Sequence, residues 1–241
     1  VEIILNIAGI IGGIGPESTV DYYQTIISKF QERVGSKEIL PELVINSINM
    51  YKIFDLISTE KNVELIHYIV DAVQKLARAG ADFAAISGNT PHLVFDQVQE
   101  MVDIPIISIV EATFLQAKEL GLERIGLIGT KFTMENDFFK KTFISDHKEI
   151  VVPNQLEQEY IHRKIVEELE KGLVKEETKA RFLEIIQQMV KRDQLQGIIL
   201  GCTELPMIIK TNDLELPMLN TTEIHVNKIV DTIFSNGGIV Q

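Results

Sequence analysis

Chemistry in this chain has few places to sit. In IILGCTELP, residues 198–206, an apolar run ends at Gly201 and is followed by Cys202, the only cysteine of the sequence, then by Thr203 and Glu204. A thiol at the end of a strand, ahead of a helix whose first N–H groups have no partner within the helix, lies in a locally positive field that favours the thiolate. That makes Cys202 a candidate proton carrier or nucleophile. Free cysteine is also among the most buried residue types, so a purely packed role stays open.

A second stretch, SGNTPH from Ser87, offers a hydroxyl, an amide and backbone donors around Gly88, Asn89 and Thr90 at another helix start. Carboxylates bind well at such places, although Asn and Thr also serve there as ordinary caps. His92, one residue inside that helix, reads as a surface or capped histidine whose claim to acid chemistry rests on position alone. In LIGTKFT, Thr130 and Thr133 follow another apolar run and are either substrate contacts or a helix cap. The loop GGIGPEST from Gly12 has neither G-x-G-x-x-G nor G-K-[ST] spacing. Its glycines instead let the backbone around Ile14 approach a small ligand closely. No His, Cys, Asp and Glu cluster has metal-ligand spacing, so no metal is expected.

Composition narrows the partners. A formal net charge of -12 repels nucleic acid and anionic membrane, leaving a small molecule or another protein. One cysteine cannot staple a fold, and neither a signal-peptide pattern nor an apolar run of about 18 residues occurs, which suits a cytoplasmic protein. The chain opens on Val1 rather than Met, and a few preceding residues are expected.

Apolar runs alternate with stretches of helical period, the pattern of parallel sheets with crossover helices. Strands are expected at 7–12, 43–48, 83–87, 104–108, 124–129, 149–152, 197–201 and 216–220. A helix beginning after Pro16 should bury Val20, Tyr23, Ile26, Ile27, Phe30 and Val34. Another, from about 62 to 79, should bury Val63, Ile66, Ile69, Val70, Val73 and Leu76 and stop at Gly80.

The chain also repeats itself. An apolar strand ending in G-x-T, a short helix and a Leu/Ile-Pro strand occur twice, with Pro105 lying 17 residues after Gly88 and Pro217 lying 16 after Gly201. A glutamate follows each proline by six residues, Glu111 and Glu223. The repeat predicts an α/β fold of two similar four-stranded, mainly parallel domains related by a pseudo-twofold, residues 1–109 plus 222–241 and residues 110–221. The two G-x-T turns, at the carboxyl ends of strands, would then open on one cleft.

Taken in order, GIIGGIGPEST, SGNTPH, LIGTKFT, GCTEL and NTTEIH resemble the motifs of the aspartate/glutamate racemase family over essentially the whole chain. INSINMYKIFDLI (45–57) and EYIHRKIVEELEKG (159–172) look closer to its broad-specificity members than to the aspartate-specific ones. The resemblance implies a cofactor-independent homodimer acting on an acidic amino acid, with two residues flanking the α-carbon. Cys202 is then one of them. Around the first motifs it implies substrate contacts from Ile14, Met50, Gly88 and Asn89. Around the later ones it implies Thr130, Thr133, Thr203 and Glu204, with His162 and Lys164 as weaker readers of the substrate's side chain.

Most such racemases carry cysteines in both motifs, C-N-T and G-C-T. Here the first reads GNT, which leaves Ser87, Thr90, His92 or a bound water for the second face. We take Thr90 as the catalytic candidate. Arylmalonate decarboxylases, another branch of the superfamily, also resemble this pattern of one cysteine and one glycine. Three functions therefore stand: an amino-acid racemase, a single-cysteine decarboxylase or other lyase or isomerase of a small dicarboxylic acid, and a carboxylate-binding protein without catalysis.

Overall fold

All eight expected strands form in the computed structural model, which describes residues 2, 3, 5–235, 239 and 240. Two short strands that the pattern did not announce, β1 (Glu2–Ile3) and β10 (Ile239–Val240), pair antiparallel with each other. The first sheet holds β2 (Ala8–Gly12), β3 (Leu43–Ser47), β4 (Phe83–Ile86) and β5 (Ile106–Ile107) in the order β3-β2-β4-β5. The second holds β6 (Arg124–Ile128), β7 (Glu149–Val151), β8 (Gly197–Leu200) and β9 (Met218–Asn220) in the order β7-β6-β8-β9. Every pairing in these two sheets is parallel. The chain divides into two units, Val1–Ile109 with His225–Gln241, and Val110–Ile224.

In the first unit the helices are α1 (Pro16–Val34), α2 (Met50–Ser58), α3 (Asn62–Arg78) and α4 (Phe95–Glu100). Helix α5 (Ile109–Glu119) carries the chain out of that unit and α11 (Thr221–Phe234) brings it back. Successive side chains of a strand point to opposite faces. Accordingly Ala8 and Ile10 of β2 join Tyr22, Ile26 and Phe30 of α1 and Val226 and Ile229 of α11, whereas Ile11 joins Ile53, Leu65, Ile69 and Val73 on the other side. Each fully buried isoleucine, leucine, valine or phenylalanine among them contributes about 1.5–3 kcal/mol by leaving water.

Two helix faces differ from the expectation. Helix α1 buries Ser18, Tyr22, Ile26 and Phe30, while Val20 and Tyr23 are 52% and 45% exposed. Adjacent tyrosines fit the apolar period about equally well. The one turned inward is Tyr22, whose hydroxyl finds a buried partner in His225. In α3 the first turn buries Leu65 instead of Val63, which is 63% exposed. Gly80 ends that helix at φ +96, a left-handed conformation that costs glycine little.

The second unit adds α6 (Lys131–Glu135), α7 (Asp137–Ile144), α8 (Gln155–Glu167), α9 (Glu176–Asp193) and α10 (Leu205–Ile208). Strand β8 is buried along its whole length. Its Ile198 and Leu200 pack with Ile161 and Ile165 of α8 and Phe182, Ile185 and Met189 of α9. Helix α8 starts on a reciprocal cap, in which Asn154 Oδ1 accepts from Glu157 N–H and Glu157 accepts from Asn154 N–H. Among the described residues, no helix is long and apolar enough to cross a membrane.

Candidate active site

The second unit gathers its polar groups where β6, β8 and β9 end. Gly201 N–H donates to Ile128 O at 2.7 Å, drawing the ends of β8 and β6 together. A Cβ on Gly201 would lie 2.8 Å from Leu127 Cδ1 and 3.2 Å from both Ile128 O and Thr133 Cγ2, so glycine is what lets the strand turn here. Cys202 follows, 8% exposed and packed among Leu200, Leu205 and Ile208.

Its thiol donates to Glu204 Oε2 at 2.9 Å, and the Thr203 hydroxyl donates to the same oxygen at 2.9 Å. Burial, then the Glu204 charge and this hydrogen bond, push the Cys202 thiol well above its usual value. The expected thiolate-favouring field is therefore overturned. Helix α10 has only four residues and a correspondingly weak dipole, and Glu204 at its N-cap brings a full negative charge against the sulfur. Glu170, in the turn after α8, has its carboxyl raised by desolvation, although the residue as a whole is exposed, and further by the Glu204 charge.

Thr130 is the N-cap of α6. Its Oγ1 lies 3.1 Å from Thr133 Oγ1 and accepts from Thr133 N–H, and Thr133 is 1% exposed. The start of α11 borders the same strand ends. Asn220 Oδ1 accepts from the N–H groups of Thr222 and Glu223, and Thr221 Oγ1 donates to Leu200 O at 2.8 Å. Thr222 Oγ1 is buried and, among the described residues, meets no hydrogen-bonding partner. Asn220 and Thr222 were not singled out as site residues, although NTTEIH ends a strand just as GCTEL does.

His162 lies on α8, which packs against α6. Burial, then the charge of Lys131, lowers its pKa, and its Nδ1 has no partner among the described residues. Lys164 has another engagement: its Nζ lies 2.5 Å from Glu168 Oε1. Glu168 also receives Lys175 Nζ at 3.1 Å and the Thr178 hydroxyl at 2.6 Å, and its carboxyl is held at about 2, mainly by Lys164 and Thr178.

In the first unit the corresponding groups sit at the ends of β2, β3 and β4. Ser87 is fully buried and its hydroxyl donates to Ile11 O at 2.9 Å. Gly88 faces Ile14: a Cβ at position 88 would lie 3.0 Å from Ile14 Cγ2 and 3.2 Å from Ile14 O. Met50 approaches the same loop, its Sδ 3.5 Å from where a Cβ on Gly15 would be. Asn89 is buried and Thr90 partly so; among the described residues, no hydrogen bond engages the Thr90 hydroxyl.

His92 is not at the surface. It is 4% exposed, with Nδ1 3.0 Å from Gly88 O and Nε2 3.3 Å from Ile109 N. Burial lowers its pKa to about 3. A ring with both nitrogens engaged by backbone, and neutral near pH 7, cannot act as the acid that its position had suggested. Ser87 is likewise committed. Among the described residues no group of three or more His, Cys, Asp and Glu is placed to hold a metal ion.

A sequence model described as Asp/Glu/Hydantoin racemase matches residues 11–229, which takes in all of these strand ends. This chain belongs to that racemase family. Among its relatives, the broad specificity amino-acid racemase RacX of Bacillus subtilis (strain 168) is 22% identical over 226 residues, 93% of this chain and 96% of that protein. An aspartate racemase homologue from Pyrococcus horikoshii OT3 superposes with a TM-score of 0.83 at 37% identity, covering 94% of this chain and 98% of its own. The aspartate racemase of Picrophilus torridus, at 22% identity and a TM-score of 0.67 over 95% and 94% of the two chains, shares the fold. Two of these relatives are named as amino-acid racemases, isomerases by reaction class.

Proposed function

We propose that the protein is a cofactor-independent racemase of an acidic amino acid, aspartate or glutamate, with Cys202 as the proton carrier on one face of the α-carbon. The observation that carries this reading is the pairing of the only thiol with Glu204 at the end of β8. A thiol pushed above its usual value holds its proton at neutral pH and delivers it to the planar enediolate, becoming thiolate. Glu204 then repels that thiolate and makes it a stronger base for the return stroke.

Candidate donors for the substrate carboxylate are the Asn89 and Thr90 turn in the first unit and Thr203, Thr130 and Thr133 in the second. Such donors also stabilise the charge that develops as the α-proton leaves. Ile14 and Met50 shape the apolar wall, and His162 reads the side chain. On the opposite face Thr90, or a water bonded to it, carries the proton. The homologues named above support the reaction class, and the free cysteine fits a reducing cytoplasm.

A second reading is favoured by one observation. The apolar Ile14 side chain covers the Gly88 position from which the other thiol would project. That arrangement suits delivery of a proton to one face only, as in a single-cysteine decarboxylase of a small dicarboxylic acid.

The test is proton exchange. L- and D-aspartate and glutamate are incubated with the protein in deuterated water without added cofactor, and both deuterium at Cα and inversion are followed. The racemase reading expects both, abolished in Cys202→Ala. Exchange without inversion, or turnover of arylmalonates alone, selects the second reading. Exchange unaffected by Cys202→Ala rejects both.

A further inference from the structure

Two buried histidines of the first unit, neither of them part of the proton chemistry above, lie in one directed series of hydrogen bonds. The Tyr22 hydroxyl is 2.9 Å from His225 Nδ1, and His225 Nε2 is 2.9 Å from Ile107 O. Two residues on, Ile109 N lies 3.3 Å from His92 Nε2, and His92 Nδ1 lies 3.0 Å from Gly88 O. His225 is 0% exposed and His92 4%.

Backbone chemistry fixes the tautomers. An amide N–H only donates, so His92 Nε2 must be bare and Nδ1 must carry the proton given to the Gly88 carbonyl. A carbonyl only accepts, so His225 carries its proton on Nε2, and its Nδ1 accepts from Tyr22. The two rings are therefore neutral and of opposite tautomer. Burial lowers His225 to about 4 and His92 to about 3, the latter helped by His225, and keeps them so at neutral pH.

The end of the series is the Gly88–Asn89 peptide. Because that peptide is planar and trans, holding the Gly88 carbonyl on the His92 ring turns the Asn89 N–H to the opposite side. The middle of the series, His225 and the Ile107–Ile109 segment, lies where the chain leaves and re-enters the first unit. Phe95 stacks on the His92 ring at 5.2 Å between centroids and 5° between planes, which fixes the ring's tilt.

We propose that His92 is a positioning residue that sets the direction of the Asn89 N–H for the substrate carboxylate, and that His225, held by Tyr22, sets His92 in turn through the Ile107–Ile109 segment. The proposal rests on the racemase reading only for the identity of the carboxylate. It explains why a turn with no thiol carries a buried histidine that cannot work as an acid.

The test has an arm independent of turnover. Ring nitrogen shifts of the labelled wild-type protein between pH 6 and 8 should show a neutral Nδ1–H tautomer for His92 and a neutral Nε2–H tautomer for His225. The reverse assignment, or a charged ring in that range, overturns the proposal. In the kinetic arm, His92→Phe keeps the stack on Phe95 and removes both bonds; kcat should fall roughly ten- to hundredfold, the scale of a misplaced donor. His92→Asn retains a donor for the Gly88 carbonyl and should recover part of that loss. If His92→Phe does not fold, Tyr22→Phe, which removes one hydroxyl, should still lower kcat several-fold and loosen the His225 tautomer. Full kcat in a folded His92→Phe or in Tyr22→Phe overturns the proposal. Wild-type protein with these tautomers but no exchange on any amino acid would sink the racemase reading alone and leave the clamp in place.

Discussion

Gly88 and Ile14 stand against each other: a Cβ on Gly88 would come within 3.0 Å of Ile14 Cγ2 and 3.2 Å of Ile14 O. Restoring a thiol at position 88 is therefore not a neutral change. Gly88→Cys alone should cost about 1–3 kcal/mol by overpacking and project its sulfur poorly. Gly88→Cys with Ile14→Ala should relieve the side-chain part of the clash, the approach to Ile14 Cγ2, while the carbonyl contact remains. If the missing thiol limits racemisation, the double variant should invert aspartate or glutamate faster than Ile14→Ala alone, read by chiral chromatography. Equal rates would show that the second face does not depend on a side chain at position 88.

Thr90 is the remaining hydroxyl of that turn without a hydrogen bond among the described residues. In deuterated water Thr90→Val should retain exchange on the face served by Cys202 while losing inversion, by roughly a hundredfold or more if Thr90 itself is the carrier. Inversion at the wild-type rate would assign the second face to water.

The sheets were legible because strand length, apolar content and Gly or Pro punctuation act within a few residues. Position along the strand was legible too, so Cys202, Gly88 and Asn89 were found where strands end. What lay beyond the sequence depends on partners far along the chain. Whether Tyr22 or Tyr23 points inward is decided by His225, 203 residues away, and the His225 bond to Ile107 spans 118. The thiol of Cys202 was misread for a different reason. Glu204 is only two residues on, but whether its carboxylate turns back onto the sulfur or out to solvent is a rotamer choice made by the packed turn.

Glu168 should make the second unit acid-sensitive. Its carboxyl, at about 2 in the fold against an ordinary 4.5, is depressed first by Lys164 and Thr178. A depressed carboxylate contributes stability that is fully present above the unfolded value and lost as pH falls through the folded one. The loss therefore runs from about 4.5 down to about 2. Glu168→Gln should lower Tm at pH 7, and the difference from wild type should shrink across that window, as followed by circular dichroism. A difference unchanged between pH 7 and pH 3 would remove Glu168 as the cause.

Assembly follows from the corrected face of α1. With Tyr22 turned inward, the apolar groups left on its surface are Val20 and Tyr23. If the protein is the homodimer that its resemblance implies and α1 contributes to it, Tyr23→Glu should move the sedimenting species toward the 27.2 kDa monomer without loss of helix content. A monomeric wild type at micromolar concentration rejects the dimer, and a dimer indifferent to the substitution places it on another surface.

Alkylation of the single thiol tests the centre of the mechanism without any substrate. Only the thiolate reacts quickly with iodoacetamide, and Cys202 is both buried and pushed well above its usual value by desolvation and by Glu204. Native protein should therefore be modified slowly at pH 8, with a rate that still climbs beyond pH 9, whereas urea-unfolded protein should react readily. Glu204→Gln removes the negative charge but keeps a group of the same shape against the sulfur. The pH midpoint of alkylation should then fall, while burial alone keeps it above that of the unfolded chain. Turnover should fall in the same variant, because a thiolate that is easier to form is also a weaker base for the α-proton. A lowered midpoint with unchanged turnover would make Glu204 a neighbour of the chemistry and not part of it. An unchanged midpoint would mean that burial alone sets the thiol.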